Sequence, residues 1–207
     1  THYIPNGVNT VEKRDPELIA KQYGLEKDSY ILYLGRIVPE KRCDLLCDAY
    51  EKLHTDKKLV IAGGASDSDG YMDILFTGFV DGQLREELYS NAYLFVLPSD
   101  LEGMSLCLLE AMSYGNCVLC TDIEESTNVV GEHGLRFLKD DRQSLAEKIQ
   151  YALEHRNVVK IFKYMAPEYV CSRFPWDKVV AKTLELYGVP EMEPAVNADS
   201  PETYTSV

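Results

Sequence analysis

The chain has 207 residues, of which 45% are hydrophobic and 27% charged, and it carries a formal net charge of −13. This length can bury one substantial core but leaves no room for a second large domain. The acidic balance argues against a nucleic-acid surface or an anionic membrane as the main partner, because both favour clustered Lys and Arg.

Strand-like and helix-like segments alternate along the chain, which is typical of a parallel sheet covered by helices. In chain order, strands are predicted at 30–35, 58–62, 74–77, 93–99 and 117–120, with a short extended segment at 134–137. Helices are predicted at 39–53, 83–90, 104–114, 142–153, 158–171 and 175–187. The predicted fold class is therefore α/β, a doubly wound parallel sheet with C-terminal helices.

Composition also predicts where the domain ends. The alternating segments place one domain over residues 1–187. From Gly188 onward the chain is rich in Pro, Glu, Asn, Asp, Ser and Thr, so residues 188–207 are predicted to be a flexible tail unless something binds them.

The six cysteines have neither zinc-site nor secreted-framework spacing. Cys117 and Cys120 form a C-x-x-C pair inside an apolar run, which favours buried strand thiols over a redox pair. No apolar stretch is long enough to cross a bilayer, and the first residues are no signal peptide. These features predict a cytoplasmic protein, and any peripheral membrane association is expected to lie outside this chain.

Two carboxylates, Glu102 and Glu110, flank the start of the predicted helix 104–114. The first amides of a helix lack intrahelical partners and lie at the positive end of its dipole, so this corner suits a diphosphate. Gly103 would let a ligand approach the backbone closely. The carboxylates, about 12 Å apart along the axis, would accept from sugar and ribose hydroxyls. The amides that would donate to phosphate oxygens belong to Met104, Ser105 and Leu106.

A second loop, at 35–41, again follows a predicted strand with a glycine and then carries two cations. Arg36 can bond phosphate oxygens with two donors at once, and Lys41 supplies a compact charge. Either residue alone would be interpreted as an ordinary surface cation. Because both loops leave the carboxyl edge of the predicted sheet, where ligands of such folds bind, together they favour a phosphate site.

The arrangement resembles the C-terminal half of family 4 retaining glycosyltransferases of the GT-B fold, over roughly residues 3–155. Such enzymes have two Rossmann-like domains, of which the N-terminal one holds the acceptor and the C-terminal one the nucleotide-sugar donor. The resemblance therefore implies that this chain is the donor half, without its acceptor domain. The segments that carry the resemblance are 5–8, 35–41, 59–64, 76–80, 96–99 and 102–112.

The resemblance implies three catalytic residues. Arg36 and Lys41 would bind the diphosphate and stabilise it as it leaves, and Glu102 would contact the donor sugar near the reacting centre. Glu110 would hold the ribose hydroxyls. The other residues expected to bind the nucleotide sugar are Gly35, Gly63, Phe79, Val80, Gly103, Met104, Ser105 and Leu106.

By the same resemblance, the reaction retains the anomeric configuration, passes through an oxocarbenium-like state and needs neither cofactor nor metal. Asp67 and Asp69 form a short acidic pair in a variable loop, which is expected to be solvated rather than metal-binding. The donor is expected to be a UDP or GDP sugar. The chain alone is expected to bind nucleotide but to turn over little.

Three features depart from the family pattern. Ser105 replaces a glycine that is often found in the motif, which leaves an amide available. Arg42 follows Lys41 where glycine is common, and it either adds a third positive charge or faces solvent. The segment between Gly64 and Ile74 is short, where relatives usually carry a helix and a longer loop.

Two other functions remain open from the sequence. A nucleotide-sugar epimerase can use a similar two-domain fold, although the combination of Arg36, Lys41, Glu102 and Glu110 favours transfer. A non-catalytic nucleotide-sugar-binding or scaffold module could also have kept the fold. A dehydrogenase is disfavoured, because no G-x-G-x-x-G follows the first strong strand.

Overall fold

Parallel strands form the centre of the computed structural model, which describes residues 2–64, 71 and 73–188. Within these residues the sheet has six strands in the order β3-β2-β1-β4-β5-β6, and each neighbouring pair is parallel. The order reverses between β1 and β4, as in a doubly wound fold. The strands are β1 (Tyr30–Leu34), β2 (Lys58–Ala62), β3 (Ile74–Gly78), β4 (Leu94–Leu97), β5 (Cys117–Thr121) and β6 (Leu135–Phe137).

Eight α-helices surround this sheet in the described part of the chain. Together with the parallel sheet, they confirm the predicted α/β, Rossmann-like fold class. The helices are α1 (Leu18–Tyr23), α2 (Cys43–Tyr50), α3 (Gly82–Asn91), α4 (Leu106–Ser113), α5 (Glu124–Val130), α6 (Arg142–Glu154), α7 (Arg156–Arg173) and α8 (Trp176–Leu186).

The predicted helix at 39–53 is interrupted near its start. A 3-10 turn, Pro39–Lys41, comes first, and α2 then begins at Cys43. Arg42 between them has a left-handed backbone, with φ of 50°, and a left-handed residue cannot continue a right-handed helix. The prediction of one continuous helix was therefore wrong at this residue.

Both faces of the sheet are buried, as expected for parallel strands covered by helices. Tyr30, Leu32 and Leu34 of β1 pack into the core beneath α3, α4 and α7. Ile31 and Tyr33, which alternate with them, pack into a second core beneath α2 and α6. The helices thereby fix the sheet from both sides and leave its carboxyl edge to the loops.

The loops at the carboxyl edge lie against one another. The amide of Gly35 donates to the carbonyl of Ala62 at 2.9 Å, and the amide of Gly63 donates to that of Gly78 at 2.8 Å. Gly63 has a φ of 128°, and a Cβ at this position would overlap the carbonyl oxygen of Gly35. Glycine is thus required at position 63, where the loop after β2 meets the loop after β1.

Some predictions fall outside the described residues. These are the acidic pair Asp67 and Asp69, and residues 189–207 of the predicted tail. Most of the short segment between Gly64 and Ile74 is outside them too. Among the helices that are described, none has the length and apolar character needed to cross a bilayer.

The C-x-x-C pair is divided between the two faces of the sheet. Cys117 packs into the core beneath α2 and α6, whereas Cys120 packs into the core on the other face. Three residues along a strand span about 10 Å, which exceeds the separation of about 7 Å that a disulfide tolerates. The prediction of buried strand thiols is confirmed, and burial raises the pKa of each thiol to about 12.

Replacing Gly63 by alanine is expected to lower the free energy of unfolding by at least about 2 kcal/mol, because the new Cβ meets a backbone oxygen in a strained conformation. Urea unfolding followed by circular dichroism measures the loss. Gly103→Ala is the matched control, since a Cβ there meets no atom within 4 Å, and its change should stay below about 1 kcal/mol. Equal stabilities for the two variants would contradict the close approach of the loops.

Thiol labelling of the native protein should spare Cys117 and Cys120. Both are fully buried and largely protonated at neutral pH, and only a thiolate reacts. Cys107 and Cys171 are partly exposed and should react first with iodoacetamide, as peptide mass spectrometry would show. Labelling of Cys117 or Cys120 at the rate of Cys171 without denaturant would refute this arrangement.

Candidate functional site

The two loops singled out in the sequence are joined by an ion pair. Lys41 Nζ lies 2.6 Å from Glu102 Oε1, and only 16% and 6% of the two side chains are exposed. Lys41 ends the 3-10 turn after β1, and Glu102 lies in the loop between β4 and α4. The structure thus brings together two of the predicted catalytic residues, at the point where the strand order reverses.

Helix α4 presents its amino end beside this pair. Ser105 is the N-cap residue, and its hydroxyl accepts from the amide of Leu108 at 3.3 Å. The amides of Leu106 and Cys107 have no partner within the helix, because an α-helix leaves its first amides unpaired. Ser105 therefore caps the helix and leaves amides free for an anion.

The loop before α4 is fixed by a residue to which the sequence analysis gave no role. The side-chain amide of Asn6 donates to the carbonyl of Met104 at 2.8 Å, and its backbone amide approaches the Met104 sulfur at 3.2 Å. Gly103 next to it is exposed, and a Cβ there would meet no atom within 4 Å. The space over Gly103 is therefore open to a ligand.

Glu110 lies farther along α4, between this helix and α3. Its carboxylate is 30% exposed and lies 3.5 Å from Arg85 of α3, a second residue that sequence reasoning missed. The phenol of Tyr89 is fully buried nearby; burial first, and then Cys107 and Glu110, raise its pKa. Arg85 thus holds Glu110 at the helix surface while leaving part of the carboxylate accessible.

Cys107 lies close to both carboxylates, Glu102 and Glu110. Burial raises the pKa of its thiol, Glu110 and Glu102 raise it further, and Lys41 lowers it. All three charged groups therefore act on one side chain in the first turn of α4. Both predicted carboxylates, Glu102 and Glu110, therefore lie near the first turn of α4.

The remaining predicted residues of the 35–41 loop lie at the same edge. Arg36 is exposed, and its carbonyl accepts a hydrogen bond of 2.7 Å from the buried Tyr33 hydroxyl, which fixes the loop backbone. Gly35 lies against Gly63. This close contact is therefore sufficient to explain why position 63 is a glycine.

Two of the residues expected to bind the nucleotide sugar, Phe79 and Val80, differ in exposure. Phe79 follows β3 and is 79% exposed, whereas the side chain of Val80 is buried in the core beneath α3. Val80 can therefore offer only its backbone to a ligand, while Phe79 presents a free aromatic face at the sheet edge.

Arg42 does not supply a free third charge to the site. Its guanidinium pairs with Asp100 at 2.8 Å, Asp140 at 2.5 Å and Asp44 at 3.3 Å. Hydrogen bonds to Asp100 and Asp140 raise the pKa of Arg42. Neither alternative from the sequence holds, because Arg42 joins three carboxylates of separate loops and helices.

Gly103 and Met104 line a cleft of about 480 Å³. Glu124 and Glu125 line it from the start of α5, and Phe174 closes it from the end of α7. A larger cavity of about 950 Å³ lies near the start of β2 and β3, away from these residues.

Among the described residues, no group of three or more His, Cys, Asp or Glu side chains could hold a metal ion. Metal independence of the reaction remains a prediction.

A double-mutant cycle on Lys41→Met and Glu102→Gln should give a coupling energy of about 1–3 kcal/mol in urea unfolding, because each single change leaves a nearly buried partner unpaired. The exposed pair Arg142–Asp48, with 48% and 42% of its side chains exposed, is the control, and its coupling should be below about 1 kcal/mol. Equal coupling in the two cycles would show that the Lys41–Glu102 pair is not held as described.

Comparison with known proteins places this chain in a family. A family model described as glycosyl transferases group 1 matches residues 28–155. The putative teichuronic acid biosynthesis glycosyltransferase TuaC of Bacillus subtilis is 36% identical over 148 residues, which are 70% of this chain and 38% of that protein. O-antigen chain mannosyltransferase B of Escherichia coli is 27% identical over 184 residues, 82% of this chain and 48% of that protein.

The chain thus spans about half, or less, of the length of these relatives. Among solved structures, Anabaena HepE in complex with UDP-glucose matches with a TM-score of 0.78 at 18% identity, over 89% of this chain and 56% of that chain. That likeness shows the fold. Because the family model covers more than half of the chain, the chain belongs to the glycosyl transferases of group 1 and forms a glycosyltransferase domain of the GT-B fold.

Proposed function

We propose that this chain is the donor-binding domain of a retaining, family 4 glycosyltransferase that takes its sugar from a UDP or GDP sugar. The observation that carries the proposal is the contact of Lys41 with Glu102 beside the free amides of α4. The cation and the helix amino terminus can bind phosphate, and the carboxylate beside them can bind hydroxyl groups.

The diphosphate would bind at the amino end of α4. The amides of Leu106 and Cys107 would donate to its oxygens, and Arg36 would neutralise charge from the neighbouring loop. Lys41 carries three donors and gives one to Glu102, so it can keep that bond and also donate to a phosphate oxygen. These groups stabilise the charge that develops as the diphosphate leaves, and no metal is needed for that part of the reaction.

The sugar and the ribose would be held by the two carboxylates. Glu102, fixed by Lys41, would accept from sugar hydroxyls over the open face of Gly103. Glu110 would accept from the ribose hydroxyls, while Arg85 limits its rotation. Phe79 offers an exposed ring at the same edge for the base.

The acceptor would be bound by an N-terminal domain outside this chain. The lengths of the group 1 relatives support this. The region that they share with this chain is about half of their length or less. The chain alone is then expected to bind the nucleotide and to turn over little. The UDP-glucose complex of HepE supports testing uridine nucleotides first.

Calorimetric titration without metal, using UDP, GDP and ADP, is expected to detect selective binding of one nucleotide. Lys41→Ala and Glu110→Ala should each weaken it about 10- to 100-fold, because each removes a charge-assisted hydrogen bond. Lys182→Ala and Glu168→Ala change exposed residues of α8 and α7 and should bind like the unchanged protein.

Two results would contradict the proposal. Absence of binding at millimolar concentrations of all three nucleotides would remove the donor site. Unchanged affinity in both Lys41→Ala and Glu110→Ala would show that the nucleotide binds elsewhere on the chain. For the full-length enzyme, conversion of a free nucleotide sugar to its epimer, seen by proton NMR, would instead favour the epimerase.

A further inference from the structure

A compact group of cations lies at the amino-terminal edge of the sheet, opposite the proposed donor site. It surrounds a cavity of about 170 Å³, which we call the Tyr93 pocket. The pocket lies where β1, β2 and β4 begin and where α7 passes them. Its lining residues are Asp28, Lys57, Tyr93, Arg156, Val159, Lys160 and Lys163.

The charge of this pocket contrasts with that of the chain. Four of the lining residues are cations and one is a carboxylate, whereas the whole chain has a net charge of −13. The carboxylate, Asp28, is engaged by Lys163. Among the described residues, Arg156 and Lys160 have no ion pair and no side-chain hydrogen bond. The lining of the pocket therefore carries an excess of positive charge.

Two of the pocket's cations, Lys57 and Lys163, are held by hydrogen bonds to backbone carbonyls. Lys57 is 9% exposed; its ammonium donates to the Asp28 carbonyl at 2.7 Å and lies 4.4 Å from the centre of the Tyr93 ring. Lys163 donates to the Ala92 carbonyl at 2.7 Å and lies 5.9 Å from the same ring centre. Two ammonium groups thus approach one aromatic ring, and their positions are fixed before any ligand arrives.

Helix stability does not account for the cations of α7. Arg156 and Lys160 are four residues apart in the first turns of the helix, where the positive end of the dipole disfavours cations. Like charges at this spacing also destabilise a helix slightly. Lys163 follows on the same face. The arrangement costs stability unless an anion offsets the repulsion.

The neighbouring Lys13 is affected by the same positive charge. Burial lowers the pKa of its ammonium, and the charges of Lys163 and Lys27 lower it further, while Asp28 acts in the opposite direction. Positive charge therefore extends beyond the lining of the cavity.

We propose that the Tyr93 pocket binds a small phosphate-type anion, either free or as a phosphate monoester. The volume corresponds to about five or six waters at about 30 Å³ each, enough for one phosphate group. It is far below the roughly 300 Å³ at which pockets for larger ligands begin, so a nucleotide sugar does not fit. The strongly acidic chain disfavours an anionic lipid surface as the source of the phosphate.

The test is an ¹H–¹⁵N NMR titration with inorganic phosphate and with methyl phosphate, at constant ionic strength set with chloride. Saturable shifts are expected at amides near Asp28, Lys57, Tyr93 and the first two turns of α7. Arg156→Gln combined with Lys160→Gln should weaken binding about five- to tenfold, because both exposed charges are lost. Both residues are exposed, so the fold should persist and nucleotide binding should remain unchanged.

Lys182→Gln, an exposed cation of α8, is the matched control and should titrate like the unchanged protein. Shifts confined to residues 35–42 and 102–107 would assign the phosphate to the donor site and overturn the proposal. So would shifts that never saturate, or an affinity that the double substitution leaves unchanged. Saturation by methyl phosphate alone would identify a monoester as the ligand, and saturation by both would show that the free anion suffices.

Discussion

The nearly buried ion pair between Lys41 and Glu102 constrains the whole carboxyl edge of the sheet. Two charges with so little exposure are stable only if their geometry is maintained, because the desolvation cost is not recovered when they separate. The loops that carry them are accordingly joined elsewhere as well. The amide of Asp100 donates to the Glu40 carbonyl at 2.9 Å, and Arg42 reaches the Asp100 carboxylate. The pair, the turn after β1 and the loop after β4 therefore form one rigid unit beside α4.

This rigidity affects how the proposed donor site handles charge. Lys41 and Glu102 neutralise each other, and Arg42 is neutralised by aspartates, so little net positive charge remains on these side chains. Attraction for a diphosphate then depends on Arg36 and on the free amides of α4, together with the unused donors of Lys41. Such fixed dipoles need no reorganisation when the ligand binds. The Tyr93 pocket differs, because its lining has four cations and one carboxylate, and this excess charge would attract an anion more directly.

Local sequence pattern predicted most of the sheet but not the contacts between distant segments. The strands agree within a few residues because each is an apolar run bounded by turn residues. Helices α1 and α5 were not predicted; the first has six residues and no side-chain cap, and the second is largely polar. Arg42 pairs with residues 58 and 98 positions away, and Asn6 contacts Met104 over 98 positions. No periodicity encodes such contacts, which is why the supporting residues of the site were missed.

In the family that the sequence resembles, glycine is common at the positions of Ser105 and Arg42. Each of these two residues gives up the conformational freedom of glycine and makes a specific side-chain bond instead. Ser105 caps α4, a contribution of about 1 kcal/mol. Arg42 adopts a left-handed backbone at a cost of about 1 kcal/mol, which its three carboxylate partners offset. Both changes fix the loops that carry Lys41 and Glu102 before a ligand arrives. A site ordered in advance loses less conformational entropy on binding. These departures therefore favour a proposed donor site that is preformed over one that closes around its ligand.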